Sequence, residues 1–194
     1  YLIAEIKRKK RLYLAENEYV NEQLLPKVME ALSLNQLPTH IECFDNSNFQ
    51  GAYPVSAMVC FKDGLPSKKD YRHFNVETVE GINDFATMKE ALTRRYTRLL
   101  EEKKPLPQLI VVDGGKGQLS AAVEALKAIG VYGKLAVVGI AKRLEEIYYP
   151  GDPLPMYIDK KSETLKVIQH MRDEAHRFGI THHRSRRDKG TLRT

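Results

Sequence analysis

The run QLIVVDGG at residues 108–115 constrains the fold more than any other feature of the chain. Its apolar positions are continuous rather than alternating, and two glycines stop it, which is the pattern of a strand covered on both faces. LAVVGIAK at 135–142 repeats the pattern, and the segment between them, 117–129, reads as a helix ending at Gly130.

The rest of the chain supplies the covering layers. Residues 3–37 are rich in Lys, Glu, Leu and Ala, with Leu24, Val28 and Leu32 at helical spacing, so one or two helices are expected before Pro38. HIECFD at 40–45 reads as a strand, 53–61 as a second, and 70–76 as a third, with Asp63-Gly64 as a turn, which makes a three-stranded meander. The stretch 84–102 places Phe85, Met88, Leu92, Tyr96 and Leu99 on one helical stripe, and Pro105 and Pro107 end it. Residues 147–149 and 155–158 suggest a short hairpin. A last helix over 162–183 carries Leu165, Ile168, Met171 and Ala175 on one side and Ser162 at its start. The order predicts a mixed α/β sheet in one domain, residues 38–194, preceded by an N-terminal helical segment, residues 1–37.

A chain of 194 residues that is 42% hydrophobic can bury one sizeable core. A net charge of +6 suits a polyanionic partner such as nucleic acid. Cys43 and Cys60 both sit in apolar strands, as buried thiols of a reducing compartment do, so no disulfide framework is expected. No apolar run approaches the roughly 18 residues of a membrane helix, and no signal peptide is evident, so a cytoplasmic protein with no membrane partner is expected. A start at Tyr1 suggests a segment of a longer protein.

Two strand-end carboxylates carry the chemistry. Asp45 closes HIECFD, and Asp113 stands where LIVV meets GG, at the strand ends where ligands of α/β sheets bind. An isolated strand-end Asp is more often a cap or turn residue. Two of them side by side repel, and a divalent cation with a taste for hard oxygen, Mg2+ or Mn2+, lets both stay ionised. The third group is His176 in RDEAHRF on the last helix, flanked by Arg172 and Arg177. A neutral imidazole there can ligate metal or accept a proton from water. Asp173 and Glu174 read as salt-bridge or cap partners, with Glu174 the alternative to His176. DGGKGQ fails the phosphate-loop pattern, because Gly117 and Gln118 follow Lys116; Lys116 near the Asp113 metal is the more modest reading. Arg94, Arg95, Lys142, Arg172, Arg177 and Arg184 complete the expected phosphate contacts, with basic runs at 7–11 and 184–189. His182 and His183 diverge on a helix, and no zinc pattern is present.

HIECFDNSN, YRHFNV, FATMKEALTRRY, LIVVDGGKGQLSAA, VVGIAK and RDEAHRFGITHHRSRR together resemble the C-terminal endonuclease domain of the UvrC family, the nuclease subunit of bacterial nucleotide excision repair, over about 40–187. The resemblance implies an RNase H-like fold: a mixed five-stranded sheet flanked by helices. It implies incision of the damaged DNA strand 5′ of a lesion by Asp45, Asp113 and His176, with the histidine where other RNase H-like enzymes have a carboxylate. Damaged duplex DNA and a UvrB-like protein are the implied partners. Many members read D-x-S-H where this chain has Asp45-Asn46-Ser47-Asn48, which removes a phosphate-contacting histidine. The tandem helix-hairpin-helix module, the N-terminal nuclease and the UvrB-binding segment fall outside the chain, so weak DNA affinity is expected of it alone. Two rivals are an inactive RNase H-like nucleic-acid-binding domain, and a resolvase- or transposase-like enzyme using Glu174.

Overall fold

The structure, a computed structural model, describes residues 1–47, 54–76 and 83–192, with side chains described up to 181 apart from 16, 17, 20 and 21. Helix α1 (Leu2–Tyr19) runs through a π-helical turn (Val20–Leu24) into α2 (Leu25–Ala31), which starts with Pro26 in its first turn. Strands β1 (His40–Ser47), β2 (Val55–Lys62), β3 (Leu65–Pro66) and β4 (Arg72–Asn75) follow. Then come α3 (Asp84–Glu101), β5 (Leu109–Asp113), α4 (Gly115–Ala128) and β6 (Ala136–Ile140). The hairpin β7 (Glu146–Tyr148) and β8 (Met156–Tyr157) leads to α5 (Glu163–Leu192).

All eight strands join one sheet in the order β3-β2-β1-β5-β6-β7-β8, with β4 also on β2. β1 runs antiparallel to β2 and parallel to β5, and β5 is parallel to β6. The mixed sheet is therefore as expected, and five of its strands have four or more residues. The other three have two or three residues: β7 and β8 form the hairpin expected at 147–149 and 155–158, and β3 is too short to leave a periodic signal. The last helix continues to Leu192, past the expected 183, because the charged tail keeps helix-forming Arg and Lys. Asn83 caps α3, its side chain accepting from Ala86 N at 3.0 Å, and Ser162 Oγ does the same for Leu165 N in α5 at 3.2 Å.

The sheet's pleat sorts the core into two layers. Phe44, Met58, Ile110 and Val112 face α3 and α4, where Met88, Leu92, Leu119 and Leu126 meet them. Ile41, Cys43, Val59, Val111 and Ile140 face the other way, onto Val28, Leu32, Ile168, Met171 and Ala175 of α2 and α5. Covered on both faces, β5 needs an apolar residue at every position, hence LIVV. The segment 1–37 divides: Leu25, Val28 and Leu32 are buried, whereas Leu2, Ile3, Ile6, Leu12, Tyr13 and Leu14 of α1 are exposed. Among the described residues no helix is long and apolar enough to cross a membrane.

The α3-facing side of β1 also carries Glu42, with no exposed surface. Arg95 grips it with Nε at 3.2 Å and Nη2 at 2.8 Å, the Tyr96 hydroxyl donates to it at 2.8 Å, and His40 Nε2 lies 2.9 Å away. Burial alone would raise this carboxyl; the bonds from His40 and Arg95 reverse that and hold it at about 2.

Candidate active site

Strand pleat and register build the site. Along β1, Ile41, Cys43 and Asp45 share the α5 face, as Leu109, Val111 and Asp113 do along β5. The parallel pairing Cys43↔Val111 and Phe44↔Val112 brings Asp45 and Asp113 to the same strand-end edge, one step further on. β5 can turn there at once into α4 because Gly114 takes φ +139°, where a Cβ would stand 2.1 Å from Gln118 Cγ.

Helix α5 brings the third group. Gly179 lies against Ser47 and Ala57, where a Cβ would make ordinary contacts at 3.4 Å to Ser47 Oγ and 3.6 Å to Ala57 Cβ, and so the helix rests on β1 and β2. His176 Nδ1 then stands 3.8 Å from Asp45 Oδ2, longer than a hydrogen bond. Three residues spread over 45–176 thus converge. The imidazole is 71% exposed and the Asp45 side chain 15%, so a largely buried acid meets a solvent-facing base.

The two strand-end carboxylates crowd each other and are only partly balanced by the basic groups beside them. Burial raises Asp45, the Asp113 charge adds to it, and His176 and Arg172 only partly compensate, leaving the carboxyl at about 6. Asp113 is raised as well, again by burial, against Arg172 and His176. Beside them opens a cavity of about 440 Å³ lined by Asp113, Gly114, Ala141, Lys142, Arg172, Asp173 and His176. Arg172 reaches Ala141 O at 3.4 Å and Lys142 O at 3.3 Å, which fixes its charge at the rim. The donor set, two carboxylates and an imidazole, is of the kind that fits a divalent cation.

Among the described residues, the three ligand-type side chains whose donor atoms all lie within 4.8 Å of one another are instead His40, Glu42 and Cys60. This cluster does not fit a cation, because the Arg95 guanidinium already occupies both oxygens of Glu42 and a metal would have to displace that charge.

The remaining sequence-derived contacts are distributed unevenly. Lys142 and Arg172 line the cavity with Asp113. Lys116 does not; its Nζ sits 5.5 Å over the Tyr148 ring, in an adjacent groove with Lys127 and Gly151. Arg95 is committed to Glu42 and 12% exposed, and Arg94 donates to Asn75 O at 2.7 Å. Arg177 turns away from His176 to make a two-pronged pair with Glu174 at 3.1 and 3.0 Å, so its guanidinium is committed to that carboxylate. Glu174 in turn accepts from the Tyr71 hydroxyl at 2.7 Å. The side chains of Arg184, His182, His183 and the 184–189 run, and all of Asn48, lie outside the described residues. Asp173, expected as a salt-bridge or cap partner, lines the cavity with His176, which follows it by one helical turn.

Compared with known families, residues 29–180 match the model of the UvrC RNase H endonuclease domain. The chain is 59% identical over 187 residues to UvrABC system protein C of Flavobacterium johnsoniae, covering 96% of this chain and 31% of that protein. It is 61% identical over 178 residues to the same protein of Christiangramia forsetii, covering 92% and 30%. The Porphyromonas gingivalis protein is 63% identical over 167 residues, covering 86% and 28%. The chain therefore spans about a third of the length of the curated relatives it matches.

Proposed function

The chain belongs to the UvrC RNase H endonuclease domain family, and from that premise we propose that it cuts the damaged strand of duplex DNA on the 5′ side of a lesion in nucleotide excision repair. The observation that carries this reading is the convergence of Asp45, Asp113 and His176 at one strand-end edge, with the imidazole 3.8 Å from Asp45 and in the same cavity wall as Asp113.

Asp45 and Asp113 would hold a divalent cation, with His176 as the third donor. Such a cation, when bound, polarises the scissile phosphate and lowers the pKa of attacking water. Arg172, tied to the carbonyls of 141 and 142, presents a fixed positive charge to the DNA backbone. Lys142 offers a mobile one beside it. The exposed face of His176 leaves the imidazole open to a water or a leaving oxygen. The full-length protein would work with a UvrB-like partner.

The test uses the full-length protein with the other proteins of its excision system and a duplex bearing one lesion, labelled on the damaged strand. Mg2+ or Mn2+ should restore a cut 5′ of the lesion, and EDTA should stop it. Undiminished cutting in EDTA would overturn the metal-dependent mechanism, and binding without a cut under either metal would leave only a nucleic-acid-binding role. Lys142→Ala should weaken DNA binding regardless of sequence and reduce the slope of log K against log salt by about 1. Fluorescence anisotropy at several salt concentrations reads this directly.

A further inference from the structure

Helix α5 carries His176 on one flank of its buried stripe and a second set of contacts on the other. At about 100° per residue, Glu174 and Phe178 lie within about 40° of each other and about 160° around the helix from His176. Met171, Ala175 and Gly179 face the sheet between the two flanks. The middle of the helix is thus seated on β1 and β2, and its roll about its own axis is set by what grips the flanks.

On the flank away from the carboxylates the grip comes from β4 and the residue before it. The buried Tyr71 donates its hydroxyl to Glu174 Oε2 at 2.7 Å and sets its ring edge-on to Phe178, centroids 5.1 Å apart. His73 stacks on the same Phe178 ring at 3.7 Å, and its Nε2 lies 2.8 Å from the Phe178 carbonyl oxygen. Arg177 closes the group by pairing with Glu174. On the opposite flank Arg172 reaches the carbonyls of 141 and 142. Tyr71 and Phe178 share the core layer that covers the helix, and their polar and ring contacts add direction to that burial.

We propose that Tyr71 and His73 are positioning residues: by holding Glu174 and Phe178 they fix the roll of α5 that keeps His176 facing Asp45. The lever is short. With side chains extending about 5 to 6 Å from the axis, a roll of about 10° carries the imidazole about 1 Å, and a displacement of that size at a reacting centre costs up to about a hundredfold in rate. β4 belongs to the antiparallel part of the sheet, so this part, which supplies no acid or imidazole beyond Asp45, still sets the geometry of the site.

This inference rests on the metal-site reading above, and the experiment separates the two. In the full-length protein, Mn2+ affinity is measured by EPR of free Mn2+, single-turnover incision on the lesion duplex is timed, and the melting temperature is recorded. Tyr71→Phe, which keeps the ring, and His73→Ala should each weaken Mn2+ binding and slow incision about tenfold, with DNA affinity unchanged. In a His176→Ala background neither should weaken Mn2+ binding further, because the effect is transmitted through that imidazole. If both variants lower only the melting temperature, or weaken Mn2+ binding equally with and without His176, the positioning role is wrong while the metal site stands. If Asp45→Asn and Asp113→Asn leave Mn2+ affinity and incision intact, the metal-site reading fails and takes the positioning role with it.

Discussion

Asp45→Asn is expected to abolish incision and, in the metal-free chain, to raise the melting temperature. The amide keeps the shape of the carboxylate and loses its charge, so one of the two oxygen donors to the cation is gone. A loss of about three orders of magnitude in single-turnover rate, about 4 kcal/mol of barrier, follows from the several kcal/mol that a bound cation contributes to the transition state. The stability effect has the opposite sign because burial and the Asp113 charge have raised the Asp45 carboxyl to about 6. An acid raised on folding makes the native state the tighter proton binder, so stability is lost as pH climbs from the ordinary 3.8 to about 6 and stays lost above it. At pH 7.5 that is about 3 kcal/mol as an upper bound, since the side chain keeps some exposure to water. A gain of about 1 to 3 kcal/mol for the Asn variant corresponds to several degrees in Tm for a chain of this size. Calorimetry should show the gap at pH 7.5 and its closure below about pH 4, and added Mn2+ should raise the Tm of the unsubstituted protein alone. An Asn variant that is less stable than the parent at pH 7.5 would mean that Asp45 is held by a favourable interaction the pocket does not otherwise reveal.

The same comparison shows where the sequence was legible. LIVVDGG and LAVVGIAK announced the central strands because a strand with two covered faces must be apolar at every position, and no surface strand imitates that. Asp45 and Asp113 stood out for the converse reason: a carboxylate at the end of such a strand demands a partner. Glu42 obeyed the same rule and was passed over. It lies in the same apolar run, one residue from Cys43, and its partner Arg95 was instead assigned to DNA. What decided the matter was the face. Period-two alternation puts Glu42 towards α3 and Asp45 towards α5, and only the fold says which helix carries Arg95. The contacts of Tyr71 and His73 with α5 bridge more than a hundred positions, and no local pattern encodes them. Arg177 illustrates a further limit: helical spacing placed it near His176, but a competing carboxylate one turn back, Glu174, captures it first.

The largest stability effect is expected from Arg95→Leu. Glu42 is fully buried, and its carboxyl stays near 2 only because His40 and Arg95 overcome the penalty of burial. Removing Arg95 leaves a buried charge without its main counterion, a change that costs about 3 to 5 kcal/mol. Removing both charges should cost far less, because a buried ion pair gains little over apolar side chains of similar size. Glu42→Leu/Arg95→Leu therefore recovers much of the loss, but the Tyr96 hydroxyl, which donates to Glu42 at 2.8 Å, is then orphaned in the core, at about 1 to 3 kcal/mol. Adding Tyr96→Phe should recover part of that. Urea melts followed by circular dichroism at pH 7 would give the order: single variant least stable, double intermediate, triple above the double. The unsubstituted protein carries the complementary pH signature. A carboxyl depressed on folding contributes stability that is complete above its ordinary 4.5 and is lost as pH falls towards about 2, here about 3 kcal/mol, a window the double variant should lack. Because the guanidinium is committed to Glu42, Arg95→Leu measured well below its melting temperature should bind DNA as the parent does; a weakened salt slope would return Arg95 to the nucleic-acid surface.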